Sequence, residues 1–212
     1  MLLISEIFKS IQGETSFSGL PFVFIRLAEC NLNCSYCDTK YAKKGGKEFS
    51  IEQVIKKVKK YGVKNICVTG GEPLLQRDCL KLLDKLVSEN YLVLLETNGV
   101  EDISKVNKKV RVIMDIKCPG SRVSKETNWN NLKYLSEKDE VKFVVTSYKD
   151  FRWAIKIIKG YRLYKKTNIL FSPAFELVNL RDLARWVLNC NLDVRMQGQF
   201  HKYIWGEKAK GI

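Results

Sequence analysis

The sequence predicts an α/β fold on a largely parallel sheet, either doubly wound or an incomplete barrel. Three features point there: short runs rich in branched and aromatic residues recur down the chain, stretches with helical apolar spacing stand between them, and irregular polar or glycine-rich tracts follow the apolar runs. Residues 2–10 and 22–27 are the first expected strands, the second opened by Pro21. Ser50 followed by Gln53 has the form of a capping box, and Ile51, Val54, Ile55 and Val58 then recur at helical spacing, so a helix is expected over about 50–60. Residues 65–69 (NICVT) suit a short buried strand, broken by Gly70 and Gly71, with Pro73 opening a helix over 74–88. Strands follow at 92–96, 111–116 and 141–146, then a helix over roughly 148–159, a strand at 168–171, a helix near 180–188 and a last strand at 193–197. Repeated strand-then-helix units join parallel strands, and in both architectures chemistry collects beyond the strands' carboxyl ends. Six unusual tracts lie there: AECNLNCSYCDT, GGEP, TNG, KCPGS, SPAF and GQFHK. They should assemble one site on one face.

At 212 residues the chain is expected to form one domain, 1–212. No stretch approaches the roughly 20 apolar residues of a membrane span, and the N-terminus carries Glu6 and Lys9 within its apolar run, which does not read as a secretory signal. A soluble, cytoplasmic protein is expected. Lys and Arg total 37 against 23 acids, a net charge of +14, but the lysines scatter, which favours a solvated surface over a nucleic-acid site. Seven cysteines is an odd number, and three fall within eight residues, so a metal is expected there rather than a disulfide framework.

Those three, Cys30, Cys34 and Cys37, form C-x3-C-x2-C. A structural zinc site closes with four ligands, yet no fourth cysteine or histidine is near, and the single histidine, His201, lies far down the chain. A four-iron cluster takes one ligand per iron, so three thiolates leave one iron open. Cys67, Cys79 and Cys190 sit in apolar contexts and read as small core residues; Cys118, in KCPGS, falls on the active face without ligand spacing.

This pattern, with Tyr36 in the aromatic position and Gly70-Gly71-Glu72-Pro73 after the next strand, resembles the radical S-adenosylmethionine (SAM) superfamily. The resemblance implies a [4Fe-4S] cluster whose open iron binds the amino and carboxylate groups of SAM, and an electron that cleaves SAM to a 5′-deoxyadenosyl radical. The GGEP tract exposes backbone that glycine leaves accessible, and Glu72 can accept from an ammonium group.

Glu6-Ile7-Phe8, Ser10-Ile11-Gln12-Gly13-Glu14-Thr15, Gly19-Leu20-Pro21, Phe24-Ile25-Arg26-Leu27, Cys37-Asp38-Thr39, Glu96-Thr97-Asn98-Gly99 and the late Gln197, His201-Lys202 tract resemble the 7-carboxy-7-deazaguanine synthase family of queuosine and 7-deazapurine biosynthesis. That resemblance implies a trimmed radical SAM core, an incomplete (β/α)6-type barrel, acting as a lyase on 6-carboxy-5,6,7,8-tetrahydropterin. Hydrogen is removed from C6, the ring contracts with loss of ammonia, and SAM is regenerated. Mg2+ would bind at Thr39, whose hydroxyl suits a hard cation. A reductase such as flavodoxin or ferredoxin and a homodimer are also implied.

Arg26, at a strand end, would hold a carboxylate in a guanidinium fork. Ile11, Gln12, Gly13 and Glu14 would read the pterin edge, Thr97 would touch substrate, and His201 would orient substrate or a water. Gly99 would let backbone approach the cofactor. Tyr36, Asp38, Asp115, Lys117, Ser172 and Pro173 are cofactor candidates from their places near strand ends. The compact cysteine motif and the KCPGS tract depart from other members and leave the SAM contacts there open.

Two other readings compete. A glycyl-radical activase shares the cysteine motif but must admit a protein loop, and the IQGE and FIRL tracts are not expected of it. A basic RNA-binding module with a zinc knuckle would interleave aromatic residues with a continuous basic stripe, whereas here the aromatics mostly fall in expected strands and helices.

Overall fold

The computed structural model describes residues 1–206 and 211. Its strands are β1 (Leu2–Ile11), β2 (Pro21–Leu27), β3 (Lys47–Phe49), β4 (Asn65–Gly70), β5 (Leu92–Thr97), β6 (Arg111–Asp115), β7 (Glu140–Val145), β8 (Asn168–Pro173) and β9 (Arg195–Met196). All belong to one sheet of order β3-β1-β2-β4-β5-β6-β7-β8-β9. From β2 to β9 every neighbouring pair is parallel, while β1 runs antiparallel to both β2 and β3. The helices are α1 (Ile51–Lys59), α2 (Asp78–Ser88), α3 (Tyr148–Gly160), α4 (Leu180–Leu188) and α5 (Phe200–Trp205). Among the described residues no helix is long and apolar enough to cross a membrane.

Side-chain alternation decides between the two expected architectures. Register places Val23 beside Ile66, Ile66 beside Val93, Leu95 beside Val112, Met114 beside Val141 and Val141 beside Ile169. These residues therefore share one face. On it Val54, Ile55 and Val58 of α1 and Leu82, Leu83 and Leu86 of α2 pack against the early strands. Phe151, Ala154 and Ile158 of α3 and Leu183 of α4 pack against the later ones. The opposite face buries its own cluster, Phe22, Phe24, Cys67, Leu94 and Ile113, with no helix of the α1–α4 series in it. Helices on one face and packed side chains on the other describe an incomplete barrel rather than a doubly wound sheet.

The capping box forms as expected: Ser50 Oγ accepts from Gln53 N at 3.2 Å and Gln53 Oε1 accepts from Ser50 N at 2.8 Å. The second helix starts later than its spacing suggests. Glu72 caps a 3-10 turn at Pro73–Leu75, and Gln76 then turns extended, its side chain bonding Leu3 N, Leu3 O and Ala28 O. Helix resumes only at Asp78. No α-helix joins β5 to β6, and between β6 and β7 stand three 3-10 turns, so helical cover is thinner than a strict repeat implies. Two elements escaped the sequence reading. β3 is a three-residue polar edge strand, and α5 is a single exposed turn and a half beyond the last strand.

The loop between β1 and β2 crosses the inner face and ties the first strands to the last. Ser16 N donates to Glu140 Oε1 at 3.0 Å, Thr15 N to Gln197 Oε1 at 2.7 Å, and Phe200 N to Gly13 O at 3.1 Å. The sheet's open side is thus bridged without closing the barrel.

Candidate active site

The inner face carries a row of polar residues at the carboxyl ends of its strands, above the apolar layer: Arg26, Thr69, Glu96 and Asp115, with Lys142 beside Asp115. They line an open cavity of about 870 Å³, a size in the range of small-molecule sites. All six expected tracts reach it: residues of the cysteine tract, Gly70 and Gly71, Thr97 and Asn98, Lys117, Ala174 and Phe175, and Gln199 with His201 and Lys202. KCPGS contributes only Lys117.

Cys30, Cys34 and Cys37 all line this cavity. Their loop is fastened on several sides. Glu72 N donates to Glu29 O at 2.8 Å and Gly71 N to Leu27 O at 3.2 Å, Ser35 N and Oγ bond Ser121 O and Gly120 O, and Lys43 Nζ bonds Leu32 O at 2.8 Å. KCPGS therefore latches the cysteine loop through its backbone. Cys118 itself is fully buried in the outer core, which corrects its placement on the active face. Cys67 and Cys79 are fully buried as expected, and Cys190 is half-buried against the outer core.

Three thiols line one cavity with no fourth cysteine beside them. Among the described residues no three His, Cys, Asp or Glu side chains converge on a single point. A multi-iron cluster takes one thiolate per iron, and three thiols on one cavity are a donor set that fits it.

Beside the thiols, Tyr36 Oη and Asp115 Oδ1 are buried without a partner among the described residues, which fits a polar ligand there. Burial, with Asp115 nearby, pushes the Tyr36 phenol far up, so it stays a donor. Asp115 Oδ2 accepts from Lys117 Nζ at 2.8 Å. Burial alone would lower the Lys117 ammonium, but Asp115 and Cys34 together outweigh it and hold it above its ordinary value. Burial would likewise raise the Asp38 carboxyl, but Lys202 Nζ at 3.0 Å pulls it below the usual range. Thr39 lines the cavity two residues past Cys37, its Oγ1 3.8 Å from that sulfur.

Four cofactor expectations take a different place. Glu72 is fully buried outside the cavity lining, its carboxylate accepting from Leu74 N, Thr97 Oγ1 and Asn98 N at 3.0, 2.9 and 2.7 Å. It staples the β4 and β5 loops together, away from the cavity surface. Burial pushes its carboxyl up to about 7. Gly99 has φ +74°, and a Cβ there would stand 2.5 Å from Met114 Cε, so packing requires the glycine rather than a ligand's approach. Ser172 is buried accepting from Gln197 Nε2 at 2.9 Å, and Pro173 is buried behind the lining residue Ala174.

The substrate expectations line the same cavity: Ile11, Gln12, Gly13, Glu14, Arg26, Thr97 and His201 all border it. Arg26 Nε donates to Glu6 Oε1 at 2.6 Å, Tyr41 Oη donates to the same oxygen at 2.8 Å, and the guanidinium lies 5.8 Å over the Phe8 ring. Gln12 Oε1 accepts from Glu14 N at 3.2 Å while its Nε2 is buried and unpartnered among the described residues. A Cβ on Gly13 would stand 2.1 Å from His201 Nδ1, so glycine lets α5 close on this loop. Burial lowers the His201 imidazole, favouring its neutral form.

The radical SAM superfamily model matches residues 25–187. A 7-carboxy-7-deazaguanine synthase of Chlorobaculum tepidum is 43% identical over 100% of this chain and 97% of its own, and one of Koribacter versatilis is 39% identical over 99% of each. The chain belongs to the 7-carboxy-7-deazaguanine synthase family of the radical SAM superfamily. The crystal structure of QueE from Escherichia coli, 24% identical, superposes with a TM-score of 0.72 over 93% of both chains and shares the fold.

In this family member the residues that hold others in place are Glu6 and Tyr41 around Arg26, Asn98 beside Cys30, Lys202 on Asp38, and Lys142 on Glu14; Glu6, Asn98 and Lys202 stood in the family tracts without a role, while Tyr41 and Lys142 were missed. Lys142 did carry a signal, a charge in the middle of the apolar strand VKFVV.

Proposed function

We infer that the chain is a radical SAM lyase converting 6-carboxy-5,6,7,8-tetrahydropterin to 7-carboxy-7-deazaguanine with loss of ammonia. The observation that carries this is one cavity lined both by three thiols, with no fourth among the described residues, and by Arg26, Gln12 and Glu14. Near full-length kinship with synthases of that name supports the substrate. A glycyl-radical activase is disfavoured by the same kinship.

Cys30, Cys34 and Cys37 would hold the [4Fe-4S] cluster, and Gly70, Gly71, Tyr36, Asp115 and Lys117 would border SAM. Together these groups supply, when bound, a 5′-deoxyadenosyl radical that takes hydrogen from C6 of the substrate. The protein's own part is binding and orientation. Arg26 Nε is taken by Glu6, leaving the terminal guanidinium nitrogens for the substrate carboxylate. Thr39 would offer one oxygen to Mg2+, the others coming from that carboxylate and water. The free Gln12 Nε2 donates to the pterin carbonyl while Glu14 accepts from its amino and ring N–H edge. Neutral His201 closes the loop side against water. The enzyme acts as one domain in the cytoplasm, with electrons from a flavodoxin or ferredoxin. Exposed Leu177, Phe200, Tyr203, Ile204 and Trp205 form a surface suited to the second subunit of a homodimer.

The test is anaerobic reconstitution with iron and sulfide, then incubation with SAM, Mg2+, reductant and the carboxylated tetrahydropterin. Equimolar deazapurine and ammonia are expected. A fully loaded cluster with no product refutes the reading.

A further inference from the structure

Lys142 occupies the third position of β7, between Val141 and Phe143, both fully buried in the outer core. Alternation turns it to the inner face, where it is 8% exposed. Its Nζ lies 2.7 Å from Glu14 Oε2 and 3.7 Å from Asp115 Oδ2. The Asp115 contact follows from register, since the two residues pair across β6 and β7. The Glu14 contact comes from the loop that crosses the open side of the sheet. Glu14's other oxygen accepts from Gln199 Nε2 at 2.7 Å, so each oxygen has one protein donor and keeps acceptor capacity toward the cavity.

We propose that Lys142 is a positioning residue for substrate: it holds the Glu14 carboxylate charged and in one orientation, so that this carboxylate accepts from the amino and ring N–H edge of the pterin. The proposal rests on the reading of this cavity as a pterin site. Burial works against the charge on Glu14, and Lys142, with smaller help from Gln199 and His201, outweighs it. Burial works against Lys142 in turn, and Glu14, Asp115 and Glu96 outweigh that. Asp115 also pairs with Lys117, so three carboxylates, Glu14, Asp115 and Glu96, face the two ammonium groups of Lys142 and Lys117 along this wall. Removing Lys142 leaves Glu14 with Gln199 as its only hydrogen-bond donor among these side chains, free to turn or to take up a proton. A protonated or turned Glu14 presents the wrong group to an edge made of donors.

The experiment measures steady-state kinetics of Lys142→Met, Lys142→Arg, Glu14→Gln and the Glu14→Gln/Lys142→Met double variant, all compared at equal iron content. Lys142→Met is expected to raise KM for the carboxylated tetrahydropterin at least about tenfold, with kcat changed less than about threefold. Lys142→Arg is expected to recover most of that loss because it restores the cation. In the Glu14→Gln background Lys142→Met should add less than about threefold, since its effect runs through Glu14. A Lys142→Met KM within threefold of wild type overturns the proposal. So does an equal loss in both backgrounds, the mark of a merely structural lysine. If Lys142→Met does not fold, the double variant, which lacks both charges, is compared with Glu14→Gln alone and decides by the same threshold. Wild type with a loaded cluster and no product would instead overturn the pterin reading itself.

Discussion

In a Gly71→Ala variant the new methyl group would stand 1.9 Å from the Glu29 carbonyl oxygen, 2.6 Å from its carbon and 2.8 Å from Cys30 Cβ. Ordinary contact begins near 3.4 Å, so the two segments must part by roughly 1.5 Å. The carbonyl is not free to swing aside, because it accepts Glu72 N–H at 2.8 Å. The variant breaks that bond and displaces the residue that opens the cysteine motif. A lost hydrogen bond costs about 1 kcal/mol and overpacking about 1–3 kcal/mol. The total of about 2–4 kcal/mol should lower Tm by roughly 5–15 °C in a chain of this size. Gly160→Ala is the matched control. Nothing lies within 4 Å of its Cβ position, at the end of α3, and stability should change by less than about 1 kcal/mol. Thermal and urea melts of the apo protein read the first effect. Iron content after anaerobic reconstitution reads the second, expected to fall from about four per chain to below about two. Wild-type iron loading together with a Tm within about 2 °C would show that this close approach does not hold the cysteine loop.

Arg26→Lys should raise substrate KM about tenfold or more, because an ammonium cannot keep the Glu6 bond and also present a fork; an unchanged KM in steady-state kinetics contradicts the carboxylate clamp. Cys34→Ser should abolish the iron signature and Cys190→Ser should keep it, measured by visible absorption and iron analysis; equal loss in both would remove the case for a three-thiolate site. Glu72 makes stability depend on pH. Its carboxyl sits at about 7 in the fold against an ordinary 4.5, so between those values the folded chain holds a proton the unfolded chain has released. Stability from this group is full below about pH 4.5 and declines as pH rises through 7, by up to about 3 kcal/mol. Glu72→Gln should flatten that slope in urea titrations at pH 5 and pH 8, and identical slopes in the two proteins would refute the assignment.

Much of the fold was legible because its signals are local. The capping box at Ser50 and Gln53, the spacing of Ile51 to Val58 and the apolar run at Asn65–Gly70 act within a few residues. Gln76 shows the limit: the spacing of 74–88 reads as helix throughout, but a side chain bonding three distant backbone groups breaks it. In the site, Cys30, Cys34, Cys37 and the Gly70-Gly71 pair stood out as contiguous motifs, and they do line the cavity. Glu72, Gly99 and Ser172 belong to those tracts yet turn inward, because each satisfies a neighbour's backbone, side chain or packing instead.

The amino-acid sequence alone determined every strand but the short edge strand β3, the thiol motif and the glycine tract, since all rest on residue spacing and short-range sterics. Which residues face one another was decided only in three dimensions. Period-two alternation says that Asp115 and Lys142 each leave a strand on one side or the other; parallel register then sets them side by side, and the β1–β2 loop brings Glu14 across the open sheet to meet them. A buried charge is tolerable only beside its partner, and that partner lies 128 positions away in sequence, where no local pattern reaches.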